Sequence, residues 1–277
     1  MRLQGKTALI TGGGRGIGKS VAQLFSKEGA AVMLCARSTK ELAQTKDEMT
    51  RERHGASVEL FAADVSRTAD VQSLIARTLD AFGGIDIVVN AAGIYGAIGP
   101  AVSVDFEQWK ATFAVNLFGT FSVIQAALPA MMKRKAGRII NFSGGGEGAL
   151  PNFSAYSTSK IAVVRLTENL AEELKTFGIA VNAVAPGAVN TRILDDALDA
   201  GEELVGSELY GRFLKQKEGG GVSPLKAAEL CVFLASDESE GLTGKFVSAI
   251  WDDWNQWDEG KIKEMAETDR LTLRRKK

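Results

Sequence analysis

Lys6-Thr7-Ala8-Leu9-Ile10-Thr11-Gly12-Gly13-Gly14-Arg15-Gly16-Ile17-Gly18-Lys19-Ser20 decides how the rest of this chain is read. Lys6 to Thr11 is a short apolar strand, and Gly12 to Gly18 is a tight turn. From Lys19 to Glu28 the spacing is helical, with Ile17, Val21, Leu24 and Phe25 on one side, and Gly29 stops the helix. A strand, a glycine turn and a helix form a phosphate-binding unit, because the helix N-terminus offers free N–H groups and the positive end of its dipole. Two patterns overlap here. Gly13-x-x-x-x-Gly18-Lys19-Ser20 is the literal nucleoside-triphosphate loop, whereas Gly12-x-x-x-Gly16-x-Gly18 is a dinucleotide turn whose spacing differs from G-x-G-x-x-G. The turn alone leaves both open. In the dinucleotide reading, Thr11, Gly12, Gly14, Arg15, Gly16, Ile17 and Gly18 line the cofactor.

Outward from this unit, strands and helices alternate. Apolar runs at Ala31–Ala36, Val58–Ala63, Ile85–Asn90, Arg138–Phe142 and Ile179–Val184 are separated by helical stretches at Ser38–Arg53, Thr68–Phe82, Phe106–Met132 and beyond Pro151. The strands are near-continuous apolar runs rather than in/out alternations, which suggests burial on both faces. The expected fold is a single Rossmann-like α/β domain: a doubly wound parallel sheet with helices on both faces. Ligands of such sheets sit at the carboxyl ends of the strands. Asp64, Asn90, Ser143 and the glycine turn all fall there.

The end of the second strand bears on cofactor choice. An acid at that point would bind ribose hydroxyls and select NAD. The residues are Ala36-Arg37-Ser38, with no acid. Arg37 is placed to pair with a 2′-phosphate and Arg15 to approach it from the other side, so NADP(H) is the expected cofactor.

A second stretch carries the candidate chemistry. The strand Arg138-Ile139-Ile140-Asn141-Phe142 runs into Ser143 and a glycine-rich loop, and beyond Pro151 a helix carries Tyr156 and Lys160 four positions apart. On a helix that spacing puts phenol and ammonium on one face. A neighbouring positive charge favours phenolate, bringing a tyrosine toward acid–base work well below its reference value of about 10. Ser143 could donate a hydrogen bond to an oxygen that gains charge.

Composition removes several classes. Among 277 residues, 45% are hydrophobic and 24% charged, as in a globular protein with a substantial core. The net charge of −1 steers the molecule toward neither nucleic acid nor acidic membrane. Met1 to Lys6 has no signal-peptide core, and no uninterrupted apolar run approaches the roughly 18 residues of a membrane span, so a soluble cytoplasmic protein is expected. Cys35 and Cys231 sit among apolar neighbours and read as reduced core residues. His54, the only histidine, lies in the charged stretch Arg51–Gly55, which argues against a Ser-His-Asp triad, and no Cys/His cluster has zinc-ligand spacing.

With these pieces in place, the chain resembles the short-chain dehydrogenase/reductase family from about Leu3 to Ile250. The resemblance rests on ordered motifs: the turn Thr11-Gly12-x-x-x-Gly16-Ile17-Gly18, then Asp64-Val65, Asn90-Ala91-Ala92-Gly93, Asn116, the set Ser143, Tyr156 and Lys160, and finally Pro186-Gly187 with Thr191. It implies that Asp64 and Val65 face the adenine. Asn90, Ala91 and Gly93 would close the sheet beside the cofactor, and Pro186, Gly187, Val189 and Thr191 would border the nicotinamide. Arg37 and Ser38 complete the adenosine end. It implies hydride transfer between nicotinamide C4 and a small-molecule carbonyl or alcohol. Tyr156 would protonate the substrate oxygen and Ser143 would polarise it. Lys160 would bind ribose hydroxyls and favour the phenolate, while Asn116 would hold a water on a proton path or make a helix–helix hydrogen bond. Family members are commonly homodimers or homotetramers.

Some features lie outside the pattern. Gly144–Gly148 is unusually glycine-rich, leaving room for a bulky substrate, while its Glu147 would repel anions. Residues 190–221 form a charged segment between glycine hinges, read either as a lid or as a solvated insertion. Beyond Ile250 the resemblance lapses, and residues 251–277 form a C-terminal extension. Its Trp251, Trp254 and Trp257 would share one helical face as packing residues, and Leu273–Lys277 would be a frayed end. The resulting expectation is an NADPH-preferring carbonyl reductase or alcohol dehydrogenase. The alternatives are a cofactor-bound sensor or scaffold without turnover and, less favoured, a nucleotide triphosphatase.

Overall fold

The computed structural model describes residues 1–144 and 148–274, and the expectations for Glu147 and for the extreme basic tail lie outside the described residues. The strands are β1 (Thr7–Thr11), β2 (Ala31–Ala36), β3 (Val58–Ala62), β4 (Ile87–Asn90), β5 (Gly137–Phe142), β6 (Ile179–Ala185) and β7 (Phe246–Ser248). They form one parallel sheet in the order β3-β2-β1-β4-β5-β6-β7. The order reverses between β1 and β4, which opens a crevice at their carboxyl ends.

Helices cover both faces, because alternate strand residues point to opposite sides. Ala8, Ile10, Val32, Leu34 and Val89 pack with α1 (Gly16–Lys27), α2 (Thr39–Glu52) and α10 (Pro224–Ala235). Leu9, Met33, Val88, Ile139 and Val181 pack on the other side with α3 (Thr68–Phe82), α5 (Thr120–Arg134) and α6 (Ser154–Leu174). Both faces of the central sheet are thus apolar, as the near-continuous hydrophobic runs suggested.

The long helix expected from Phe106 is continuous but not regular. α4 (Phe106–Phe113) passes into a π-helical turn, Ala114–Gly119, before α5 begins. Such widened turns recur at functional sites, and this one carries Asn116. The stretch Phe106–Arg134 is long enough to cross a membrane and contains an 18-residue window with a mean hydropathy of 1.5. It is nevertheless built into the fold through the buried polar residues Thr112, Asn116 and Thr120.

The segment after Pro186 folds as α7 (Arg192–Ala200), α8 (Glu202–Val205) and α9 (Ser207–Glu218). A single parallel bridge between Val189 and Val222 joins its two ends. Leu194, Val205 and Phe213 bring it down on Phe153 and Tyr95, so the segment is packed over the strand ends.

The extension does not form one helical face of tryptophans. Between Trp251 and Trp257 only Trp254–Gln256 is helical, as a 3-10 turn. Trp254 and Trp257 both cover Phe233, at ring-centroid distances of 5.7 and 6.3 Å, whereas Trp251 points outward, 82% exposed. A 3-10 turn repeats every three residues, but the helix begins after Trp251, so that ring follows the preceding chain. The last helix, α11 (Glu259–Glu267), buries Ile262 and Met265 in the same core as α10.

Candidate active site

The glycine turn is shaped by close backbone approach. A Cβ at Gly18 would fall 2.3 Å from Gly12 O, so no other residue fits there without moving the turn. No side chain caps the N-terminus of α1, which leaves its first-turn N–H groups available to an anion. Lys19, which a triphosphate loop would extend over the phosphates, instead pairs with Glu48 at 2.6 Å. That contact removes the main support for the nucleoside-triphosphate reading.

In front of the turn lies a cavity of about 360 Å³. It is bordered by Gly12, Gly14, Arg15, Gly16, Ile17 and Gly18 at the turn. Arg37, Ser38, Asp64 and Val65 border one end, Ala91 and Gly93 the floor, and Thr191 the far side. Most of the expected cofactor residues therefore converge. Thr11 stands behind them, its Oγ1 accepting from Ala92 N at 3.2 Å. Asn90 is a buried brace whose Nδ2 donates to Asn141 Oδ1 at 2.9 Å. Pro186, Gly187 and Val189 lie outside the lining, on the side where β6 runs toward α7.

Asp64 accepts from both the N–H and the hydroxyl of Ser66, at 2.9 and 2.7 Å. Partial burial works to raise its carboxyl. The Ser66 hydrogen bonds and the fields of Arg37 and Arg67 outweigh that, and the group lies below its usual range.

Sequence reasoning missed several residues at this site. Glu41 lines the adenosine end and bonds Arg15 at 3.0 Å. Ser38-x-x-Glu41 is a helix-start signature, which placed a carboxylate on the first turn of α2 but did not reveal its direction. Tyr95, two residues past Gly93, stands edge-on to Tyr156 with ring centroids 4.6 Å apart. Arg192 and Ile193 also border the cavity.

The catalytic candidates stand beyond Gly93. Lys160 Nζ is 3.2 Å, and Asn116 Oδ1 3.4 Å, from where a Gly93 side chain would begin. Strand β5 delivers Ser143, and α6 delivers Tyr156 and Lys160. Ser143 Oγ donates to Lys160 O at 2.9 Å, tying strand end to helix. Lys160 Nζ donates to Phe142 O at 3.0 Å and lies 6.0 Å from the centre of the Tyr156 ring. Asn116 donates to Ile94 O (2.9 Å) and Ser159 Oγ (3.0 Å) and accepts from Ile94 N (2.9 Å). These bonds fasten the π-turn to the segment after β4 and to α6.

The protonation balance differs from the expectation of a lowered phenol. Burial pushes the Tyr156 phenol above its ordinary range, and the nearby Tyr95 adds to the effect. Burial also lowers the Lys160 ammonium to about 8. Desolvation acts on both groups, and the Lys160 amine spends its hydrogen bond on a backbone carbonyl rather than on the phenol. Among the described residues no group of three or more His, Cys, Asp or Glu could hold a metal.

A doubly wound sheet with an uncapped glycine turn at its switch point defines a dinucleotide-binding α/β protein. A family model described as "short chain dehydrogenase" matches residues 6–201. The chain belongs to that family of oxidoreductases, whose cofactors are nicotinamide dinucleotides. Oxidoreductase UcpA of Salmonella typhimurium is 38% identical over 249 residues, covering 88% of this chain and 92% of the relative. NAD+-bound xylitol dehydrogenase superposes with a TM-score of 0.81 at 26% identity, covering 90% of this chain and 98% of that one. A variant of actinorhodin polyketide ketoreductase with NADPH superposes with a TM-score of 0.78 at 30% identity, covering 88% and 95%.

Proposed function

We propose that this chain is an NADP(H)-dependent carbonyl reductase or alcohol dehydrogenase in which Tyr156 is the general acid and base. The observation that carries the reading is the convergence of Tyr156, Lys160 and Ser143 beyond Gly93, where the cavity that begins at the glycine turn ends. When bound, the nicotinamide would supply or accept a hydride at C4. In reduction Tyr156 gives its phenolic proton to the substrate oxygen. A phenol held above its ordinary range keeps that proton at neutral pH, as an acid must. The Ser143 hydroxyl turns from Lys160 O to polarise the same oxygen. Lys160 binds ribose hydroxyls and, near 8, can return a proton to Tyr156. Asn116 holds α6 in place and keeps one Oδ1 lone pair for a water on the path to solvent.

The choice of NADP(H) rests on Arg37 and Arg15 at the adenosine end, since the similar structures include one with NAD+ and one with NADPH. Val102, Phe106, Phe118 and Phe121 leave apolar surface on and beside the long helix, which supports a homodimer or homotetramer. The deciding experiment is a panel of ketones, steroids, sugars and acyl thioesters assayed with NADPH and NADH. Turnover with Tyr156 intact and its loss in Tyr156→Phe, with nucleotide binding retained, is the expected result. Near wild-type reduction by Tyr156→Phe overturns the mechanism.

A further inference from the structure

The adenosine end of the cavity is not the bare cationic site that Arg15 and Arg37 suggest on their own. Glu41 stands in it, and its position is fixed by backbone packing rather than by side-chain drift. A Cβ at Gly14 would lie 3.0 Å from Glu41 Cβ, so the first turn of α2 rests directly on the glycine turn. Buried Thr45, one helical turn on, donates to Gly14 O at 3.1 Å and locks that contact. Ser38 caps Glu41 N at 3.3 Å. In a capping box the glutamate carboxylate returns to the N-cap N–H. Here it goes to Arg15 Nη1 at 3.0 Å instead. Arg37 makes no hydrogen bond or ion pair among the described residues, but its field acts on Asp64. The mouth therefore holds two guanidinium groups and two carboxylates, close to neutral overall.

We propose that Glu41 sets the cofactor selectivity by holding Arg15 away from a 2′-phosphate. This rests on the nicotinamide-dependent reading above. A nucleotide with a free 2′-hydroxyl leaves the Arg15–Glu41 pair intact and meets a carboxylate able to accept from its ribose. A 2′-phosphate must draw Arg15 from Glu41 and then tolerate that carboxylate nearby. Glu41 thus narrows the preference for NADPH that Arg37 and Arg15 create.

The test is Glu41→Gln, which keeps length and helix propensity and removes the charge. Dissociation constants for NADPH and NADH are measured by nucleotide fluorescence at fixed low salt, with wild type alongside. Release of Arg15 to make one charge-assisted contact with the phosphate should tighten NADPH about five- to tenfold while NADH changes little or weakens. In an Arg15→Gln background most of that gain should vanish, because Arg15 is what Glu41 withholds. If the two dissociation constants move together, or neither moves, the role of Glu41 is overturned. Full persistence of the gain without Arg15 also overturns it. Failure of the wild type to bind either nucleotide is a different result and overturns the nicotinamide-dependent reading instead.

Discussion

Replacing Lys160 by methionine gives the sharpest test of how the chain alone sets the charge on the helix that carries Tyr156 and Lys160. Lys160 is 6% exposed, and burial lowers its ammonium from 10.5 to about 8. A base whose folded value is lowered costs stability while it is charged in both states. The full cost, roughly 3 kcal/mol at 1.36 kcal/mol per pKa unit, is therefore present below pH 8. Between pH 8 and 10.5 the folded chain has released the proton and the unfolded chain has not, so stability rises with pH. Other groups oppose this. Burial raises both Cys35, to about 12, and Cys231, so their unfolded thiols ionise first and stability falls above pH 9. Tyr156 and Tyr95 act likewise above pH 10. The raw curve thus mixes opposite slopes, and the difference between wild type and Lys160→Met isolates the lysine. Urea unfolding followed by tryptophan fluorescence, without nucleotide, at about pH 7, 8, 9 and 10 measures that difference. Wild type should gain on the variant by about 1.4 kcal/mol per pH unit inside the window and by nothing below it. A flat difference would refute the reasoning. It would mean that Lys160 stays charged in the fold, paired with a phenolate, and that Tyr156 is lowered after all.

Further outcomes follow from the same contacts. Arg37→Ala should weaken NADPH more than NADH in fluorescence titration, by about tenfold for loss of a charge-assisted phosphate contact. Trp254→Ala removes a ring packed on Phe233 and should cost about 3–5 kcal/mol in urea unfolding, whereas Trp251→Ala, on an exposed ring, should change stability by less than about 0.5 kcal/mol. Asn116→Ala strands the N–H and C=O of Ile94 and should lower stability by about 2–3 kcal/mol; equal stability in the variant would show that water replaces the side chain.

What the sequence made legible follows from local physics. The central β-strands were marked by near-continuous apolar runs because both of their faces are buried, edge strand β3 being only partly buried and carrying Glu59, and most strand ends fell within two residues of their observed places. The glycine turn was legible because Gly18 tolerates no side chain. The π-turn at Asn116 was not, since one extra residue in a helical turn leaves the apolar spacing almost unchanged. Glu41 was missed for a related reason. Its place on α2 could be read from Ser38-x-x-Glu41, but its contact with Arg15 depends on packing between segments 26 residues apart. The direction of the Tyr156 shift was also out of reach, because spacing on a helix places Lys160 on the right face without saying how dry that face is.

The extension after Ile250 has a physical role that its tryptophans only hinted at. β7 is three residues long and forms one edge of the sheet, and an exposed edge offers unpaired N–H groups to any passing strand. Its two outward donors are both taken by the extension. Phe246 N bonds Leu271 O at 2.8 Å, and Ser248 N bonds Asp252 Oδ2 at 2.7 Å. Buried Lys245 then donates to Thr268 O at 2.6 Å, and Glu168 on α6 accepts Leu273 N at 2.6 Å. The segment after Ile250 thus closes the sheet edge and fastens itself to the helix that carries Tyr156 and Lys160. A short edge strand and a cover of backbone and side-chain acceptors act together here, so that the outward N–H groups of Phe246 and Ser248 are paired within the chain.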